Sequence, residues 1–166
     1  MTESTSAPDT PAAITSTSVL AFFAADHAAV SPDGKIYVNG GGIGILRFPV
    51  FPATLPTLGI AAILELPFNA TMRDHTIRLG IRGPSDQELP VRVEARFRAA
   101  PSPEAQFGEP GLVPFAATVS NVEFPAPGHY ALVLWFDNIE MKTYGFRAIQ
   151  TPIVASAGGS LPASDD

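Results

Sequence analysis

The chain of 166 residues has no cysteine. That excludes disulfides, thiolate metal sites and cysteine nucleophiles, and it leaves the redox compartment open. Charge is scarce: Asp, Glu, Lys and Arg make up 16% of the chain, against about a quarter in an ordinary soluble domain. Long apolar runs are absent as well. Val19 to Ala25 is closed by Asp26-His27 and is too short to span a membrane. No lysine or arginine precedes Lys35. Met1 to Ser18 therefore lacks the cationic start and apolar core of a secretory signal, and a cytoplasmic location is the expectation.

Proline and glycine are plentiful, 17 and 14 residues respectively. They argue for many turns and few long helices. The net charge is −6, but its location matters. Residues 18–149 hold ten basic and twelve acidic side chains. A nearly neutral body gives no electrostatic case for general nucleic-acid binding.

Residues 1–17 and 150–166 are small, polar and proline-rich. They lack the apolar side chains needed to offset ordering entropy and are expected to be disordered. Residues 18–149 form the expected domain. Its pattern is strand-like throughout. Leu58, Ile60, Ala62, Leu64 and Leu66 share one phase of a period-two run. Ile77, Leu79 and Ile81 alternate with Arg78 and Arg82; Val91, Val93, Ala95 and Phe97 alternate with Arg92, Glu94, Arg96 and Arg98. Such alternation describes half-buried antiparallel strands. Ser31-Pro32-Asp33-Gly34-Lys35 is a turn, so residues 19–39 read as a hairpin. Gly40-Gly41-Gly42 reads as a bulge or bend, and residues 49–56 and 100–114 as crossing loops. Pro127-Gly128-His129-Tyr130 opens an apolar run, with a tyrosine placed to cap the corner. Eight or nine strands of this kind predict an all-β fold, an immunoglobulin-like antiparallel β-sandwich, with a closed barrel as the other solution.

Catalytic motifs are weak. Gly40-Gly41-Gly42-Ile43-Gly44 lacks the Lys-Ser/Thr pair and the helix of a phosphate loop. No Gly-x-Ser-x-Gly elbow occurs. His27, His75 and His129 have no metal-ligand spacing, and adjacent Asp-His residues on a strand point to opposite faces. Asn69-Ala70-Thr71 matches a glycosylation acceptor, but without a secretory signal the match is chance. The expectation is no catalytic residue, no metal, no cofactor and no enzyme activity.

Three surfaces remain as candidates. Strand 129–136 is apolar on both faces, and Phe23, Ile63, Val133 and Trp135 form a candidate interface for a protein partner or for self-association. Arg78, Arg82, Arg92, Arg96 and Arg98 share the outward phase of one hairpin and form a candidate anion or partner patch. Asn69, Arg73, His75 and His129 form a candidate loop site for a small ligand or carbohydrate.

The text of the turns is distinctive. Ala25-Asp26-His27-Ala28, Asp33-Gly34-Lys35, Val38-Asn39-Gly40-Gly41-Gly42, Leu66-Pro67-Phe68-Asn69 with Arg73 and His75, Pro127-Gly128-His129-Tyr130 and Phe146-Arg147 follow in order. Over residues 20–149 the chain resembles a family of small actinobacterial proteins of unknown function. The resemblance implies a bacterial, cytosolic β-sandwich and supplies no catalytic residues. The function expected is a non-enzymatic binding or assembly module; the alternatives are a small-ligand or carbohydrate-binding sandwich using its sheet-end loops and, third, an enzyme built around His27, His75 or His129.

Overall fold

The computed structural model describes residues 16–100 and 106–152. Ten strands follow in order: β1 Ser18–Ala25, β2 His27–Val30, β3 Ile36–Asn39, β4 Ile45–Phe48, β5 Ala53–Leu66, β6 Asp74–Arg82, β7 Glu88–Arg98, β8 Gly111–Phe124, β9 Gly128–Phe136 and β10 Ile139–Gln150. One 3-10 turn, Phe68–Ala70, is the remaining regular element among the described residues. The all-β expectation holds. The tails expected to be disordered lie, apart from residues 16–17 and 150–152, outside the described residues.

Two sheets enclose the main core. One has the order β1-β5-β8 and the other β4-β10-β9-β6-β7, while β2 and β3 form a separate ribbon. The alternation read from sequence decides which side chains face inward. Leu58, Ile60, Ala62, Leu64 and Leu66 from β5 meet Ile77, Leu79 and Ile81 from β6 and Leu132 and Leu134 from β9. All ten are essentially inaccessible to solvent. Each large aliphatic side chain among them contributes about 1.5–3 kcal/mol of transfer free energy. Phe124 sits at one end of this core, edge-on to Tyr130 at 5.0 Å and to Phe146 at 6.0 Å. The Tyr130 hydroxyl donates to the Ala126 carbonyl at 2.6 Å, so the tyrosine does tie down its corner.

Three local expectations need correction. The first concerns the hairpin. Its turn closes as read, with Gly34 at φ +80° and its N–H on Ser31 O. The arms are β2 and β3, however, and β1 pairs instead with β5. Asp26 separates β1 from β2, and its N–H bonds Asn39 O at the open end of the ribbon. The ribbon then folds over the outer face of the three-stranded sheet. Gly59 permits this approach: a methyl group there would sit 2.6 Å from the His27 carbonyl carbon. Second, the proline-rich loops are shorter than expected, because β5 begins at Ala53 and β8 at Gly111. Third, the sheets are not wholly antiparallel. β4 runs parallel to β10, with Ile45 opposite Arg147 and Phe48 opposite Gln150. The all-β fold is thus made of three sheets, and one of its strand pairs is parallel.

Candidate functional site

The outer face of the five-stranded sheet carries the arginines. Arg78 and Arg82 on β6 and Arg92, Arg96 and Arg98 on β7 do share one face, as their phase requires. Four of the five have carboxylate partners. Arg78 meets Glu88 at 3.4 Å, Arg82 meets Glu140 and Asp86, Arg92 meets Glu94, and Arg98 Nε donates to Asp74 at 2.8 Å. The Arg92 guanidinium bonded to Glu94 holds that carboxyl below its ordinary value, and Arg98 does the same to Asp74. Glu140 raises the Arg82 guanidinium further above its usual range. Arg96 makes no ion pair among the described residues. The patch is therefore a lattice of alternating charges rather than a bare cationic field.

Val133 and Trp135 lie beneath this lattice. They are 0% and 6% exposed, so they are not a free apolar surface. The Arg78 guanidinium carbon stands 3.5 Å above the Trp135 ring centre, and Gly80 leaves the indole room to lie flat across β6. A stacked arginine of this kind contributes about 1 kcal/mol or more. Phe23 and Ile63 are half-buried on the outer face of the other sheet, where Gly41 and the β2–β3 ribbon close over Phe23. The four residues expected to form one interface are thus divided between opposite outer faces of the molecule.

The loop residues are also divided. Asn69 lies in the 3-10 turn, and Arg73 and His75 lead into β6. His129 begins β9, which runs antiparallel to β6 with Arg82 opposite Ala131. Continuing that register sets His129 level with Pro84, nine residues of extended chain from His75, roughly 30 Å. His129 sits instead beside Arg82, Pro84 and Asp86. His75 is buried. Its Nδ1 lies 2.8 Å from Asp137 Oδ2 and its Nε2 2.7 Å from Ala70 O, while the ring stacks on Phe136. Asp137 also accepts from Thr76 N–H at 2.8 Å. The pair fixes the β9–β10 turn against β6, and neither ring nitrogen is left for a substrate. Among the described residues no three His, Asp or Glu side chains converge as metal ligands would.

The least finished part of the molecule is the side formed by β7 and β8. Each is the last strand of its sheet, and among the described residues no strand pairs with the outer edge of either. Their inward rows are Val91, Val93, Ala95 and Phe97 on β7 and Val113, Phe115, Ala117 and Val119 on β8. All eight pack against the core yet stay half-buried. A shallow groove lined by Asp74, His75, Thr76, Arg96, Phe97 and Arg98 closes one end of this side. Sequence reading singles out the outward arginines of this strand. It misses the edge, because strand order is not a local property of the text.

Fold and edge together define a sandwich-like all-β domain in which, among the described residues, one side is left unpaired. The chain belongs to the family of unknown function DUF6941, whose profile matches residues 20–149. That agrees with the family resemblance of the turn motifs. No curated protein matches the chain. Among solved structures, it is similar to the Pseudomonas fluorescens alkylpurine DNA glycosylase AlkC bound to DNA containing an abasic site analog. The TM-score is 0.37 and the identity 9%, over 76% of this chain and 30% of that one. The chain thus spans less than a third of that structure's length. No helix among the described residues is long and apolar enough to cross a membrane.

Proposed function

We propose that this protein is a non-enzymatic binding and assembly module whose working surface is the β7–β8 side of the sandwich. One observation carries the reading: two long neighbouring edge strands present half-buried apolar rows that a protein partner would cover. Added strands gain main-chain hydrogen bonds from an exposed edge and specificity from alternating side chains. The outer face of the five-stranded sheet is less suited to this work, since its apolar residues are already covered by its own arginines.

Site-specific photo-crosslinking in cells of the source organism tests the reading. A photoreactive residue at Val93 or Phe115 is expected to give discrete protein adducts. The same residue at Thr143, on β10, is the control. Adducts from Thr143 alone, or none from Val93 and Phe115, would overturn the proposal.

A further inference from the structure

β7 is the last strand of the five-stranded sheet. Its sequence is Glu88-Leu89-Pro90-Val91-Arg92-Val93-Glu94-Ala95-Arg96-Phe97-Arg98. Even-numbered residues from Arg92 onward face outward and the odd-numbered ones inward. Suppose two such strands pair antiparallel about a two-fold axis through Val93. Arg92 then stands opposite Glu94 of the second copy. Symmetry doubles this pair, giving two opposite-charge pairs and no like-charge pair in the regular part of the strand, which begins at Val91–Arg92 beyond the register shift that separates Arg82–Glu88 from Gly80–Arg92. On the inward face Val93 meets Val93 and Val91 meets Ala95, so every pair there is apolar.

Neighbouring registers fail. An axis through Glu94 sets Glu94 against Glu94 and Arg92 against Arg96. An axis through Arg92 sets Arg92 against itself, and one through Ala95 sets Arg92 against Arg98. Shifts that place the axis between residues put charged side chains opposite apolar ones across the pleat. Opposite charges directly across a pair stabilise it, and like charges destabilise it. Pro90 offers no N–H, but it stands opposite Arg96, outside the central Arg92–Glu94 block. Pairing makes β7 an interior strand, where Pro90 is tolerated because it lies in the irregularity between Glu88 and Arg92, a bulge position.

We infer that the binding module proposed above takes a second copy of this chain as its partner, through antiparallel β7–β7 pairing centred on Val93. The inference rests on that reading and specifies its occupant. The two five-stranded sheets become one continuous sheet. The axis is perpendicular to that sheet, so both β8 strands fall on its same side. There they face one another across the joined apolar rows. Arg92 and Glu94, already paired within each strand, become a four-membered ring of alternating charges.

Charge swapping tests this with the full chain. Light scattering behind a sizing column should give wild type twice the chain mass. R92E sets carboxylate against carboxylate at both central cross-strand pairs, and E94R sets guanidinium against guanidinium there. Each single variant should keep its Trp135 fluorescence yet associate at least about tenfold more weakly. Mixing the two variants should restore association, because each central cross-strand pair then joins a carboxylate to a guanidinium. The double variant R92E/E94R should self-associate like wild type. A wild type that is monomeric into the hundreds of micromolar overturns the inference, as do single variants that remain dimeric. Photo-adducts at Val93 containing a different protein, together with a monomeric wild type, would sink the second copy while leaving the binding module standing.

Discussion

On one long side of the sandwich the chain crosses from sheet to sheet. Gly42 and Ile43 donate to Ala24 O on the β1 edge at 2.8 and 3.2 Å. Gly44 O accepts from Arg147 N–H at 3.0 Å, and Ile43 O accepts from the Tyr144 hydroxyl at 3.0 Å. One short strap thus occupies the edge of β1 and leads directly into β4. On the opposite side, among the described residues, β7 and β8 have no such strap, and eight apolar side chains stay half-buried. Among the described residues, backbone finishes one edge and leaves the other unpaired. Unpaired edges invite pairing, and proteins usually blunt them. Charges on β7 are the ordinary means of blunting, but here their order is self-complementary rather than repulsive.

The closed regions should be the costly ones to disturb. Gly59→Val would drive its side chain into the β2 backbone, 2.6 Å from even a methyl position. We expect a loss of about 3 kcal/mol in urea unfolding, with new protease sensitivity in residues 26–45. Gly80→Val should cost about 2 kcal/mol, since a β-carbon there already meets Trp135 at 3.2 Å. The emission of the single tryptophan should shift to the red as the indole is displaced. Tyr144→Phe removes the strap's hydroxyl bond and should cost about 1 kcal/mol, raising amide exchange at Ile43 to Ile45.

The unfinished side should respond to acid and to charge. Glu94 and Asp74 have carboxyls lowered from ordinary values of 4.5 and 3.8. A carboxyl whose folded value is depressed gives stability that is present above its ordinary value. That stability is lost as pH falls through the folded one. Melting temperature should therefore decline slightly below about pH 4, and self-association should decline more, because protonated Glu94 no longer answers Arg92. Arg92→Glu should be the mildest change of all in the melt while weakening association sharply. A large loss of melting temperature in that variant would erase the contrast between the two sides.

Much of this architecture can be read locally. The period-two runs of β5, β6, β7 and β9 name their buried faces, the Ser31–Lys35 turn names its type, and Pro127-Gly128-His129-Tyr130 names its corner. The rest depends on pairing between distant segments. Nothing local makes β1 prefer β5 to its nearest downstream strand, or sets β4 parallel to β10. The fate of Trp135 turns on register: only when Arg78 stands opposite it does the indole acquire a guanidinium cover. His75 and His129 read as members of one loop site only as long as the sheet end that each loop occupies is unknown. The charge order of residues 88–98 is legible throughout. Its meaning becomes available only once β7 is known to be the last strand of its sheet.

Hydrogen exchange of peptides spanning residues 88–98, followed as protein concentration rises, tests the central claim most directly. Protection of these amides should grow with concentration in wild type and stay low in R92E. Exchange that is independent of concentration, whether fast throughout or slow even in dilute protein, would contradict pairing between two copies.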